Sequence, residues 1–195
     1  MTAFTGAPTI PAPLGVTGWA AEDLLEKLGA GTPDELPASV VSAIRTLLTY
    51  WNDKRGTRAM PSRADFDPMD VPRLLPRLLL IDVEGVRSDG AGIFRYRVVG
   101  GTEVANRGHN PTGRLVEEGF YAESLENALA HYEAVRQSKC PIYDRVTFLD
   151  DRSRPVHEDT ILLPFSEDGT TVSQILVYSQ QLPLDGAFKP SGTRR

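Results

Sequence analysis

Three histidines, one cysteine and a few charged side chains at strand or loop positions are what this chain offers for chemistry. His109 lies in Gly108-His-Asn-Pro-Thr-Gly113, His131 in a long helical stretch, and His157 heads the run His157-Glu158-Asp159. An imidazole beside a carboxylate is a general-base arrangement. Successive strand residues point to opposite faces, so His157 and Asp159 share a face while the neighbours His157 and Glu158 do not. Were that face to line a binding cup, His157 or Asp159 would be the base of an enzyme. No Ser or Cys sits in a nucleophile motif. One cysteine with three scattered histidines has no zinc spacing. No catalytic residue and no metal ligand is assigned, and the cofactor is left unknown.

The remaining polar positions point to binding. Arg97 lies inside a strand, where a lone charge is costly if buried unpaired. Facing the helices, it would hold an acidic ligand by a bidentate contact. Facing away, it belongs to a solvated or dimerising sheet face, and its alternation with Phe94 and Tyr96 favours that outward direction. Tyr143, Thr160 and Tyr178 are comparable polar positions in later strands, with either facing open. His131 borders the apolar face of its helix. The candidate ligand-binding set is therefore Tyr96, Arg97, His131, Tyr143, His157, Thr160 and Tyr178. Arg63, Asp65 and Asp67 read as a capped, ion-paired loop rather than a metal site. Gly108 and Gly113 bracket a loop that lacks the Gly-Lys-Ser/Thr ending of a phosphate loop. They are expected to supply positive φ at a turn.

The elements that position these residues follow a β-β-α-β-β-β order. Strands are expected over about 78–83, 94–100, 142–149, 156–164 and 172–180, with a long helix over 121–138. That order makes an α+β fold: one five-stranded antiparallel sheet with helices on one face, plus flanking N-terminal helices. The continuous apolar run 78–83 suggests burial on both faces. In the second strand Phe94, Tyr96 and Val98 share one face, and Arg95, Arg97 and Val99 the other. On the long helix Tyr121, Leu125, Ala128, Leu129, Tyr132 and Val135 share a side, and Leu129 is expected to be buried against the sheet. The turns are 84–92, 150–154 and 167–169. A helix over 40–51 carries Val40, Val41, Ile44, Leu47, Leu48 and Trp51 on one face, with Ser39 able to cap it and Gly56 to stop it. Asp67 and Pro68 form an N-cap and N1 pair.

Residues 1–37 form an arm, partly disordered, with a short helix over 19–28. The main domain spans 38–182, and 183–195 is a loose tail. With 195 residues and 41% apolar content, one packed domain is expected. The charge of −5 disfavours nucleic acid as a partner. No apolar run approaches the ~20 residues of a membrane span. The N-terminus lacks a basic start and an apolar core, so it is no secretory signal, and a cytoplasmic location is expected.

Several pieces, in this order, resemble a PAS domain, and more narrowly the type common in alphaproteobacterial proteins. They are Tyr50-Trp51, Pro61-Ser-Arg63-Ala-Asp65, Asp67-Pro68, Leu75-Pro76, Phe94-x-Tyr96-Arg97-Val98-x-Gly100, Gly108-x4-Gly113-Arg114 and Leu162-Leu-Pro164. The resemblance covers about 48–180. It implies the five-stranded sheet, short helices after the second strand and one long connecting helix. It also implies a non-enzymatic bacterial signalling module that senses a small ligand or contacts a signalling partner, commonly as a homodimer. A ligand-free adaptor is the alternative. The resemblance fixes no ligand. Cys140 precedes Pro141 at a helix end, which is no flavin-adduct setting, so the protein is expected to be colourless. Ile44, Leu47, Leu48 and Trp51 are the candidate dimer seam, covering the outer sheet face of a neighbour or of their own chain.

Overall fold

The computed structural model describes residues 17–18, 38–120, 125–149 and 155–183. Its first element, β1 (Thr17–Gly18), is a two-residue edge strand. Helix α1 (Ala38–Arg55) follows, then three 3-10 turns at Arg63–Asp65, Pro68–Asp70 and Leu75–Arg77. Strands β2 (Leu78–Val86) and β3 (Gly92–Val99) form a hairpin. Three helices come next: α2 (Gly101–Arg107), α3 (Val116–Gly119) and α4 (Leu125–Ser138). The chain then returns through β4 (Ile142–Leu149), β5 (Pro155–Phe165) and β6 (Gln174–Pro183). The antiparallel sheet runs β1-β4-β5-β6-β2-β3. The five expected strands are all present, and β1 adds a short sixth against Ile142 and Tyr143. The helix expected over 19–28 lies outside the described residues, as does 121–124 ahead of α4.

The sheet is buried on both faces. Leu78 to Ile81 are all buried, as are Ile161, Leu162 and Leu163 next to each other on β5. Helices α2 to α4 cover one face. On the other lies α1, whose Ile44, Leu47 and Leu48 are fully buried and whose Trp51 is 2% exposed. Burying each of the three aliphatic chains contributes roughly 1.5–3 kcal/mol. The Trp51 indole donates to the Pro164 carbonyl at 2.7 Å. Pro164 lies past the end of the β4 ladder and pairs only with Ile175 of β6, so its missing N–H interrupts no second ladder. Tyr50, Phe66 and Phe165 continue this layer as two edge-on ring pairs, with centroids 5.7 and 6.0 Å apart. The four side chains of the candidate dimer seam thus pack into the core of their own chain, the cis arrangement of the two that the stripe allows.

A β-bulge changes the face of one strand. Ile81 pairs with Tyr96, but the next residue, Leu80, pairs with Val98, and Arg97 is the extra residue. Beyond it the alternation inverts. Val98 is 50% exposed and Val99 packs against the core, the reverse of the strict period-two expectation. Gly100 then passes so close to the carbonyls of Leu75 and Pro76 that a Cβ would lie 2.4 Å from either oxygen, which fixes glycine there. A second irregularity, between Val83 and Gly85, lets β2 run on to Val86, so the turn is 87–91 rather than 84–92. Helix α1 begins at Ala38, one residue before the Ser39 expected to cap it, and Gly56 ends it at φ 56°. Asp67 caps its 3-10 turn as expected, accepting from Met69 N at 2.8 Å. Leu129 is half-buried; Tyr132, Ala134 and Val135 are the buried positions of α4.

Candidate functional site

Cross-strand register assigns each strand residue a face. Phe94 meets Tyr132 of α4 with ring centroids 5.4 Å apart, so Phe94 and Tyr96 face the helices. Their partners Val83 and Ile81 share that side, and register carries it across the sheet through Ile175 and Val177 to Leu162, and through Leu162 to Ile142. Two residues further along, Thr160 is opposite both Ser179 and Asp144. The two hydroxyls lie 2.9 Å apart. Asp144 reaches up to α4, its Oδ2 2.8 Å from His131 Nε2. One end of this helix-side cup is apolar, and the other carries a buried polar set.

The polar set has three parts. His131 bonds on both sides, since its Nδ1 lies 2.6 Å from the Asn127 carbonyl. Both partners are acceptors, so the ring is satisfied as an imidazolium. Burial pulls its pKa down, but the Asp144 carboxylate and the Asn127 carbonyl together outweigh this and leave it above the usual histidine value. On α2, Glu103 and Arg107 form an i,i+4 pair at 2.6 Å, with side chains only 11% and 9% exposed. Arg107 Nη1 also donates to the Glu103 carbonyl at 3.0 Å, while its buried Nε has no partner among the described residues. On β5, Glu158 accepts from Gln181 at 2.9 Å. Burial pushes its pKa up, and the nearby Glu103 adds to this. Tyr96 and Tyr132 are likewise raised by burial and remain phenols.

Local chain chemistry holds these groups. Gly108 ends α2 in the left-handed region at φ 70°, which lets Arg107 sit in the last turn. The following loop returns to the edge of β3, where Tyr96 N donates to Arg114 O and Gly113 N to Tyr96 O. Gly119 lies against Tyr96, and a Cβ there would come 3.2 Å from its ring. Among the described residues no group of three or more His, Cys, Asp or Glu is placed to hold a metal ion.

A cupped antiparallel sheet crossed by short helices and one longer helix is the architecture that the sequence resemblance implied. The family model described as "PAS domain" matches residues 40–178, more than two thirds of the chain. The chain belongs to the PAS domain family. Similar solved structures include the LOV domain of the blue-light photoreceptor Aureochrome1, at 7% identity and TM-score 0.40, covering 58% of this chain and 86% of that one. The Rhodobacter sphaeroides LOV protein is 12% identical, with TM-score 0.40 and coverage of 61% and 67%. The LOV domain of the Erythrobacter litoralis EL346 blue-light activated histidine kinase is 8% identical, with TM-score 0.37 and coverage of 54% and 94%. No curated protein matches the chain. No helix among the described residues is long and apolar enough to cross a membrane.

Within this PAS domain the predicted site residues divide. Tyr96, His131 and Thr160 lie in the cup. Arg97 does not: it is exposed at the bulge. Tyr143 and Tyr178 alternate with cup residues and fall on the α1 side, where the Tyr178 hydroxyl donates to Gln180 at 2.7 Å. Asp159, one residue along β5 from Thr160, is buried on the α1 side of the sheet by register. The side chain of His157 lies outside the described set. Sequence reasoning missed Glu103, Arg107, Asp144 and Ser179. A signal for the first two was present, since Glu103 and Arg107 are spaced i,i+4 on the only short helix between β3 and the glycine loop.

Proposed function

We propose that this PAS domain is a non-enzymatic sensory module that takes a small ligand into the cup between its sheet and α2 to α4, and relays occupancy to a signalling partner in the bacterial cytoplasm. The observation that carries this is the polar end of the cup: Glu103–Arg107, His131–Asp144 and Thr160–Ser179, with two phenols and a half-buried Glu158. A pure scaffold gains nothing from burying ionic groups that well-packed apolar residues could replace. Native mass spectrometry of the full chain tests it. A retained small molecule, lost on denaturation, supports the sensor; a bare mass across several preparations supports the ligand-free adaptor. Self-association belongs to the same proposal, with its surface moved off α1.

A further inference from the structure

The two edges of the sheet are finished differently. On β3 the backbone of Tyr96 is met by a loop: its N–H donates to Arg114 O at 3.0 Å, and its carbonyl accepts from Gly113 N at 2.7 Å. The bulge at Arg97 then bends what is left of that edge. On β4 only Ile142 and Tyr143 have an outer neighbour, the short strand β1. From Asp144 to Leu149 nothing lies against the outer edge among the described residues, while the inner side of β4 is in unbroken register with β5. No bulge or proline blunts this edge, and Val146, Thr147 and Phe148 are strand-forming residue types. An edge of that kind is a template for another strand.

Backbone direction decides which positions are open. In an antiparallel sheet the N–H and C=O of one residue point to the same side, and the side alternates along the strand. Leu78 O accepts from Gly100 N, so Leu78 points to β3; Val83 N donates to Ser173 O, so Val83 points to β6. Leu79 therefore points to β6 and bonds with Val177, and one strand further Leu162 bonds with Ile142. Ile142 thus spends its groups on β5. Tyr143 turns outward to Thr17, and Arg145, Thr147 and Leu149 turn outward with no described strand beside them. The stretch of chain ahead of β1 cannot fill these places. Extended along β4 from Thr17, it would set Pro13 opposite Thr147 and Pro11 opposite Leu149, and neither has an N–H to give.

We propose that β4 pairs edge to edge with β4 of a second copy of this chain, antiparallel, about a two-fold axis at Thr147. This rests on the self-association in the function proposed above and gives it a surface. The register is self-complementary. Thr147 stands opposite Thr147 of the second copy and Arg145 opposite its Leu149, so every outward position from 145 to 149 is bonded on both chains and β1 keeps Tyr143. Val146 stands opposite Phe148, an aromatic and β-branched pair of the kind that stabilises sheets, and within this span no like charges face each other. The strip is short for an interface, so association in the micromolar range is expected. The test is sedimentation equilibrium of the full chain beside Thr147→Pro, a change that removes an outward N–H and no bond to β5. Wild type should approach the dimer mass at high micromolar concentration, while Thr147→Pro stays monomeric and keeps a cooperative melt. Amide exchange in wild type decides the matter should Thr147→Pro fail to fold. From low to high concentration, exchange at Thr147 and Leu149 should slow at least about tenfold, while Val146 and Phe148, bonded to β5, exchange alike at both. A dimer retained by Thr147→Pro, or one that leaves the outward amides unchanged, overturns the edge while self-association stands. A monomeric wild type overturns both, and leaves the ligand cup to the mass-spectrometric result. Protection of Thr147 that persists in the monomer would mean that the edge is covered in cis, which also overturns the proposal.

Discussion

His131 joins the long helix to the sheet through Asp144, and its protonation sets when that link is ionic. Its folded pKa is raised above its unfolded value, so its contribution to stability is fully present below about pH 6.5 and is lost as pH rises through the folded value. The urea midpoint of wild type compared with His131→Asn, measured from pH 5.5 upward, should show the larger wild-type advantage at the acidic end, on the order of 1–3 kcal/mol. An advantage that grows with pH would contradict the imidazolium. Glu158 gives a second test with its own sign. Burial raises its carboxyl, so ionising it costs stability as pH rises above the unfolded carboxylate range. Glu158→Gln should match wild type near pH 4 and exceed it at pH 7, by chemical denaturation at both. The cup residues legible in the sequence, Tyr96, His131 and Thr160, could be found because alternation and helical spacing are local patterns. Arg97 is exposed, the outward direction that its alternation with Phe94 and Tyr96 favoured; Val98 and Val99 escaped, because one bulge residue inverts the strand beyond it and period-two counting does not see an insertion. Asp144 and Ser179 escaped because only register shows that they flank Thr160.

At the scale of elements, α1 was readable as an amphipathic helix, but the chain that owns the surface it covers was not. Spacing defines a stripe and says nothing of its partner. Here the partner is the outer face of the chain's own sheet, fixed by Trp51 on the Pro164 carbonyl. Ile44→Glu with Leu48→Glu would bury two carboxylates where both side chains are fully enclosed, so the domain should unfold, visible as a lost cooperative melt in circular dichroism. A folded variant that merely changed its solution mass would return α1 to an interface. The difference in burial between α1 and α4 gives a graded comparison. Leu48→Ala should cost about 2–5 kcal/mol, and Leu129→Ala clearly less, because Leu129 keeps one side in solvent. Equal losses in urea midpoint would mean that α4 lies deeper than described.

The whole molecule is a sheet enclosed on both faces by one chain, and that has a consequence for assembly. Had α1 completed a neighbour's core, the folded state would be inseparable from the dimer, and stability would climb with protein concentration by about 2.7 kcal/mol per hundredfold. With α1 docked in cis, the monomer is a finished unit, and association on any other surface adds to a fold that exists without it. The discriminating probe is Trp51, which is 2% exposed in the single chain. Trp19, the other tryptophan, is removed by Trp19→Phe so that emission reports Trp51 alone. On dilution from high to sub-micromolar concentration, that emission should stay blue-shifted and the urea midpoint should not fall toward zero stability. A dimer formed elsewhere would lower the midpoint modestly while leaving Trp51 shielded. Red-shifted emission on dilution, together with loss of the cooperative melt, would show that the helix is exchanged between copies and that the enclosed monomer is not the folding unit.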